Sequence, residues 1–349
     1  MRLPNWNLTF TAKRRLQRAG LITAIVVMVL ILIWFCWVIW LERYVVYSRE
    51  GATIDTSLPE RMAGGQVAAP PAVDETIPIY INEGSDAIDT ELKLKKINGY
   101  YVEQEQLIED LQTVRDVVAT LPPETAVMLE LKNIFGRFNY SSGLPDATVA
   151  SNVDTPAVDS LITEITSKNL YAIALVPAFR ERAYVLAKNN YFLKDKNGYG
   201  WMDEQKCYWL DPTDTGTMNW LIQIADELRS KGFDEVVFTE FRIPNSDKIR
   251  FSGDPAAAIS KAAAKLQETC GTNQFVISFA TNDTTFVLPE GGMNRIYLTD
   301  VGAKDAAAAA SKMQVPNAET NLVFLATSTD TRYDAYSALR SITTANMNK

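Results

Sequence analysis

The sequence predicts an α/β fold over residues 79–349, a (β/α)8-type TIM barrel preceded by one transmembrane helix and a linker. Short apolar runs alternate with stretches of helical periodicity through this region, and strict alternation implies a parallel sheet. A closed barrel typically takes about 250 residues. No apolar run is followed by a Gly-rich phosphate loop, so a nucleotide-binding, doubly wound sheet is disfavoured and no nucleotide partner is expected.

The first 41 residues predict a membrane anchor. Residues 1–19 carry several basic residues and no acid, and Leu21–Leu41 contains no charge. This length predicts a transmembrane helix over 20–41, too long for a signal peptide and without a cleavage site after it. Because basic flanks stay in the cytoplasm, we expect a single-pass protein of the cytoplasmic membrane with its N-terminus inside. Residues 42–78 mix Gly, Ala, Pro and charge without periodicity and predict a flexible linker.

Charge and composition exclude several classes of function. Residues 50–349 contain 27 Lys+Arg and 41 Asp+Glu, a net charge of −14, which argues against nucleic acid as a partner. The chain contains no histidine, which excludes Ser-His-Asp and Cys-His catalysis and the usual zinc sites. We therefore predict no metal and no cofactor. Two cysteines, Cys207 and Cys270, leave a disulfide open but define no framework.

Periodicity predicts about seven β/α units, which leaves open whether the barrel is complete. The predicted strands are residues 98–102, 125–131, 170–177, 235–241, 274–280, 295–298 and 321–326. The predicted helices are residues 103–121, 158–168, 217–230, 254–270, 303–313 and 332–344. Asp254 followed by Pro255 is a strong helix start.

Polar residues at the strand ends predict a site at the carboxyl-terminal face, where active sites of such barrels lie. The first strand ends with Glu103, and a long aromatic loop, residues 192–214, follows the third. Carboxylates with aromatic rings and no imidazole suit sugars, because glycoside cleavage needs two carboxyl groups and flat rings stack on sugars. The catalytic candidates are Glu130, Glu240 and Asp300. The substrate-binding candidates are Lys132, Arg180, Trp201, Trp209, Asp211, Thr239 and Arg242.

Three of the candidates also have a plainer interpretation. Glu130 can be one half of an ion pair, and Trp201 and Trp209 can be loop packing. These alternatives remain open from the residues alone.

Three segments resemble the glycoside-hydrolase-like domain family DUF4015. They are MLELKNIFGRFNYSS (128–142), residues 175–214 closing in Trp-x-Asp-Pro, and GFDEVVFTEFRIP (232–244). The resemblance implies a TIM barrel acting on a carbohydrate polymer. The chain departs from the family at its fourth strand, where Thr239 stands in place of an Asp and Glu240 in place of a Tyr. A later Pro-Met-x-Tyr-Pro motif of the family has no counterpart near residues 295–305.

Strand parity sharpens the question about the fourth strand. Successive residues point to opposite faces, so if Thr239 faces the barrel mouth, Glu240 faces the helices, with Arg242 as its expected partner, unless a bulge turns it inward. Two functions follow: a hydrolase acting on a cell-wall or environmental glycan, or a non-catalytic barrel that binds a glycan or a protein. A structural envelope protein is a third possibility.

Overall fold

Eight parallel strands close into a barrel in the computed structural model, which describes residues 27–28, 45–48, 51–54, 94–188, 190–286 and 294–342. The strands pair in chain order, and the last pairs with the first. The closed (β/α) barrel predicted from alternation is confirmed. Its strands are β1 (Asn98–Val102), β2 (Ala126–Glu130), β3 (Tyr171–Pro177), β4 (Glu235–Thr239), β5 (Val276–Thr281), β6 (Ile296–Leu298), β7 (Leu322–Ala326) and β8 (Ser337–Ser341).

Helices follow the strands on the outside of the barrel. They are α1 (Gln104–Glu109), α2 (Leu111–Thr120), α3 (Thr155–Ser167), α4 (Ala183–Ala187), α5 (Thr215–Ser230), α6 (Pro255–Cys270), α7 (Ala306–Met313) and α8 (Ala318–Asn321). The predicted start of α6 is confirmed, because the Asp254 side chain accepts a hydrogen bond from the Ala256 N–H at 3.0 Å. Asp154 caps α3 in a similar way, accepting from the Ala157 N–H.

The chain divides into two compact units, Met1–Gly84 and Ser85–Lys349. In the first, Val45–Ser48 and Gly51–Ile54 form an antiparallel pair within the segment predicted as a linker. The predicted span 20–41 lies outside the described residues except for 27–28, which are helical. Within the part of the chain that the structure describes, no helix has the length and apolarity needed to cross a membrane.

The last element differs from the sequence prediction. A helix was predicted over 332–344, but a short 3-10 helix, Thr331–Ala335, leads into β8. Strand β8 hydrogen-bonds to β7 on one side and to β1 on the other. The tertiary requirement to close the barrel outweighs the local helical pattern. This strand also supplies the eighth unit that periodicity left open.

Apolar side chains separate into a barrel interior and an outer layer, as strand alternation requires. The interior cluster holds Met128, Ile173, Val237, Tyr297 and Leu339. The alternate strand residues pack outward against the helices, among them Leu129, Val236 and Phe238. Both cysteines of the barrel, Cys207 and Cys270, are buried free thiols, so the disulfide left open by the sequence is not formed.

A buried ion pair fills the floor of the barrel, at the amino-terminal ends of the strands. The Arg295 guanidinium donates to Glu235 Oε2 at 2.6 Å and to the Tyr171 hydroxyl at 3.1 Å. It also donates to the carbonyl oxygens of Lys95 and Thr320. Arg295 and Glu235 are 2% and 0% exposed. Burial, followed by the nearby Glu235 charge, raises the pKa of Tyr171 well above its usual range.

We expect Arg295→Met to destabilise the protein by about 3–5 kcal/mol, because it leaves the Glu235 carboxylate buried without its cation. The double variant Glu235→Leu/Arg295→Met should lose much less, since it removes both charges together. The surface change Lys265→Met should stay within about 0.5 kcal/mol. Urea unfolding of the purified variants measures all three. An Arg295→Met cost no larger than that of Lys265→Met would contradict the role of this pair.

Candidate functional site

The barrel mouth lies at the carboxyl-terminal ends of the strands, and alternation decides which side chains face it. Met128 and Val237 belong to the interior cluster. Two residues further along the same strands stand Glu130 and Thr239, so both point into the barrel near its mouth. The strand-end pattern in the sequence therefore identified residues that the fold places at the predicted face.

Glu130 has the environment of a carboxyl group that favours its neutral form. It is half-buried at the end of β2, and its Oε2 accepts a hydrogen bond from the Gln104 N–H at 3.0 Å. Burial raises its pKa, the hydrogen bond opposes this, and the charges of Glu105 and Glu103 raise it further. Among the described residues it forms no ion pair, so the ion-pair interpretation of Glu130 is not supported.

Glu240 has a different environment, set by two arginines. Its Oε1 lies 3.2 Å from Arg180 Nη1, and its Oε2 lies 3.3 Å from Arg242 Nη2. Its backbone is left-handed, with φ of 50°, so the alternation of β4 ends at Thr239. The expected partner Arg242 is present, but the turn in the backbone, which simple parity did not anticipate, lets Glu240 also reach Arg180 from the loop after β3.

The three catalytic candidates lie on alternate strands around the mouth. In the strand register, Glu130 is level with Leu175 of β3 and hence with Val237 of β4. Glu240 is two strands away and three residues further on, roughly 10 Å in each direction at the usual strand spacing and rise. Asp300 follows β6, across the barrel from β2; it is exposed and has a φ of 60°. The structure therefore does not place Glu130 beside Glu240 or Asp300.

The two arginines that pair with Glu240 also lie over the ring of Trp209. The guanidinium carbons of Arg180 and Arg242 lie 5.9 and 5.2 Å from the Trp209 ring centroid. The Trp209 indole N–H donates to Asp203 Oδ2 at 3.1 Å, and the same oxygen accepts from Arg180 Nε at 2.7 Å. Trp209 is only 2% exposed. Its predicted role in stacking on a sugar is therefore corrected: the ring supports the two arginines from inside.

Two other predicted substrate-binding residues serve the loops instead. Lys132 is fully buried, ion-paired with the equally buried Glu181, and donates to the Pro177 carbonyl at 3.3 Å. Asp211 Oδ1 accepts from the backbone N–H and the hydroxyl of Thr213 at 2.8 and 2.6 Å, which closes a local turn. The Lys132 side chain is therefore inaccessible to a sugar, and the half-buried Asp211 shapes the turn before α5.

The remaining predicted binding residues stay accessible to different degrees. Arg242 is 57% exposed, and Trp201 and Thr239 are half-buried. Arg180 is 14% exposed and is occupied by Asp203, Glu240 and Gln205. Any ligand at this face therefore meets Arg242, Trp201 and Thr239 more readily than Arg180.

Several residues that shape the site were missed from the sequence. Glu181 and Asp203 fix Lys132 and Arg180, and Glu227 of α5 accepts hydrogen bonds from Tyr140, Ser142 and the Gly143 N–H. These contacts hold the loop after β2 against α5. They join residues that are distant in the chain, so periodicity and spacing carry no signal for them. Glu103 was visible at the end of the first strand but was not among the site candidates.

Residues 100–278 match the model of the DUF4015 family, whose description reads "Putative glycosyl hydrolase domain". The chain belongs to this family. This stretch is therefore a glycosyl-hydrolase-like domain on a closed parallel barrel. A comparison with curated proteins finds no match.

Three solved structures show how this DUF4015 member compares. A hypothetical protein from Ruminiclostridium thermocellum has 24% identity and a TM-score of 0.45, over 51% of this chain and 96% of that one. A GH36 α-galactosidase from Geobacillus stearothermophilus has 12% identity and a TM-score of 0.49, over 72% of this chain and 39% of that one. The glycoside hydrolase domain of PelA from Pseudomonas aeruginosa has 11% identity and a TM-score of 0.43, over 71% and 95%.

Two glycines with positive φ make a matched test of the loop after β2. A Cβ at Gly136 (φ 79°) would overlap the Glu181 carboxylate, whereas a Cβ at Gly198 (φ 89°) meets nothing within 4 Å. Gly198→Ala should cost about 1–2 kcal/mol through the left-handed backbone. Gly136→Ala should cost at least about 3 kcal/mol, because it also displaces the only acid paired with buried Lys132 in the described residues. Equal unfolding midpoints for the two variants in urea would contradict this.

Proposed function

We propose that this protein is a membrane-anchored glycoside hydrolase that cleaves a cell-wall or environmental glycan at its barrel mouth, with Glu130 as proton donor. One observation carries the proposal. Inside the mouth of a hydrolase-family barrel stands a half-buried carboxyl group whose pKa is raised by burial and which no cation pairs within the described residues. A carboxyl group whose pKa is raised keeps its proton to higher pH than an ordinary glutamate and can donate it to a leaving-group oxygen.

Glycan recognition in this proposal uses the accessible residues at the barrel mouth. The exposed Arg242 guanidinium and the Thr239 hydroxyl supply hydrogen-bond donors, and Trp201 supplies an aromatic face. Arg180, Lys132 and Asp211 act indirectly, by holding the loops from which these groups project. The absence of histidine is no obstacle, since glycoside cleavage uses carboxyl groups.

A second function is favoured by a specific observation at β4. Thr239 faces the barrel interior where the family resemblance places an Asp, and the neighbouring Glu240 is neutralised by Arg180 and Arg242. A barrel with this arrangement binds a glycan, or another partner of the cell envelope, without cleaving it. Family membership fixes the fold and leaves this choice to the site.

The cellular placement belongs to the same proposal. We infer a cytoplasmic segment over 1–19, a transmembrane helix over 20–41, a linker over 42–78 and an extracytoplasmic barrel domain over 79–349. The uncharged stretch Leu21–Leu41 and the basic residues before it support this order. An acidic domain outside the membrane meets glycans rather than nucleic acid.

Glu130→Gln should reduce glycan hydrolysis by about 100-fold or more, because it removes the proton donor without changing side-chain size. Since the pKa of Glu130 is raised, wild-type activity should persist above the ordinary glutamate value of about 4.3. It should fall as pH rises through the raised pKa and the donor ionises.

Reducing-sugar release from purified cell wall and a panel of polysaccharides, followed against pH, measures this change. Glu109→Gln, at the exposed end of α1, is the control and should retain activity. If wild type binds a glycan in the panel but releases no sugar, the non-cleaving barrel is the correct function.

Removal of residues 1–41 should release the protein from the membrane fraction of expressing cells, because this deletion takes away the proposed span and its basic flank. Sedimentation of membranes followed by detection of the barrel domain gives the distribution. A deletion variant that still sediments with the membranes at the wild-type level would contradict the anchor.

A further inference from the structure

The register of β1 and β2 places a second glutamate next to Glu130. These two strands are parallel neighbours, with Tyr101 opposite Met128 and Val102 opposite Leu129. One residue further along, Glu103 stands opposite Glu130. The Glu103 backbone is still extended, with φ of −79° and ψ of 161°, so the alternation of β1 continues through it.

Both carboxyl groups point to the same side of the barrel wall. Met128 lies in the interior cluster and Tyr101 packs against it, so Glu130 and Glu103, each two residues further on, face the mouth. Neighbouring strands are about 4.8 Å apart, and side chains directly opposite have Cβ atoms about 5 Å apart. No other candidate carboxylate in the described residues stands level with Glu130 on a neighbouring strand.

Hydrogen bonds fix the segment that joins the two residues. The Glu103 N–H donates to Gln106 Oε1 at 2.9 Å, and the next N–H along the chain, that of Gln104, donates to Glu130 Oε2 at 3.0 Å. The start of α1 is therefore tied to the end of β2 through the Glu130 side chain. This tie fixes the backbone at Glu103 beside the Glu130 side chain, and the Glu103 side chain completes a capping box with the Gln106 N–H.

Glu103 and Glu130 differ in exposure to solvent, as expected for a pair in which one carboxyl group is charged and the other donates a proton. Glu103 is exposed, whereas Glu130 is half-buried. Burial raises the pKa of both, the charge of Glu105 adds to the rise at both, and the charge of Glu103 adds a smaller rise at Glu130. The better-hydrated Glu103 is penalised less when it carries a charge, which suits a nucleophile, whereas the more buried Glu130 suits a proton donor.

We propose that Glu103 is the second catalytic carboxylate of this barrel and acts as the nucleophile beside the proton donor Glu130. This rests on the proposed glycoside hydrolase function. It differs from a pair built on Glu240, whose oxygens are occupied by Arg180 and Arg242. Carboxyl groups on level residues of neighbouring strands can approach to the roughly 5 Å at which glycosidases retain configuration, while inverting enzymes need about 6.5–9.5 Å for a water.

The reaction proceeds in two balanced steps. The Glu103 carboxylate forms a bond to the anomeric carbon while the bond from that carbon to the leaving oxygen breaks, and this oxygen takes the proton of Glu130. Water then bonds to the anomeric carbon as the bond to Glu103 breaks, and the water proton returns to Glu130. The net change is one glycosidic bond hydrolysed, with both glutamates restored.

Azide rescue of the full-length protein tests this assignment with polysaccharides that the wild type cleaves. Glu103→Ala should lose about 100-fold or more of the hydrolysis rate. Sodium azide should restore cleavage, because azide fits the space left by the carboxylate and attacks the anomeric carbon. The product should be a glycosyl azide of configuration opposite to that of the substrate, identified by mass spectrometry and NMR.

The control is Glu109→Ala, which removes a glutamate side chain at the other end of α1. It should retain hydrolysis without azide. Azide rescue itself shows that Glu103→Ala is folded, and unchanged hydrolysis by Glu103→Gln would overturn the proposal without relying on the Ala variant. Rescue by azide of Glu240→Ala, but not of Glu103→Ala, would also overturn it while leaving the hydrolase function intact. A wild type that cleaves no glycan ends both the hydrolase function and this role for Glu103.

Discussion

The buried Arg295 guanidinium is the interaction on which the closed barrel depends. It stands on the segment before β6, yet its contacts reach Glu235 of β4, Tyr171 of β3 and the carbonyl oxygen of Lys95 before β1. One side chain thus joins strands from both halves of the chain at the floor of the barrel. A charge in that position is tolerable because each of the three guanidinium nitrogens donates to an acceptor. The contacts at the floor therefore stabilise the fold, as residues at the amino-terminal face of such barrels generally do.

Because the floor stabilises the barrel, strained backbone conformations can be tolerated at the mouth. Glu240 and Asp300, each beyond the end of its strand, adopt left-handed conformations with φ of 50° and 60°. Such conformations cost free energy for residues other than glycine. At Glu240 the cost is offset by two ion pairs, with Arg180 and Arg242. The loops above the strands are in turn anchored by buried or partly buried pairs, of which Lys132 with Glu181 is the most enclosed.

The sequence predicted the barrel well because its signals are local. Apolar runs, caps such as Asp254 and the length of the repeat all act within a few residues, and seven of the eight strands follow from them. Strand β8 could not be predicted in this way, because Ser337–Ser341 is a strand only when β7 and β1 are there to bond it. At the site, strand ends identified Glu130 and Thr239, whereas the burial of Lys132 and Trp209 depends on partners far along the chain.

The loss of an acid at one strand end does not by itself remove the chemistry from a barrel. Every pair of adjacent parallel strands presents level side chains about 5 Å apart, so a carboxyl pair can be assembled on any two neighbouring strands whose residues face the mouth. Thr239 lacks an acid on β4, but Glu103 and Glu130 meet this condition on β1 and β2. The buried contacts of Arg295 at the floor do not depend on which residue stands at position 239, because mouth and floor share the strands but have separate side-chain contacts. In the proposed mechanism, Thr239 therefore determines which strands can supply the carboxyl pair rather than whether such a pair can form.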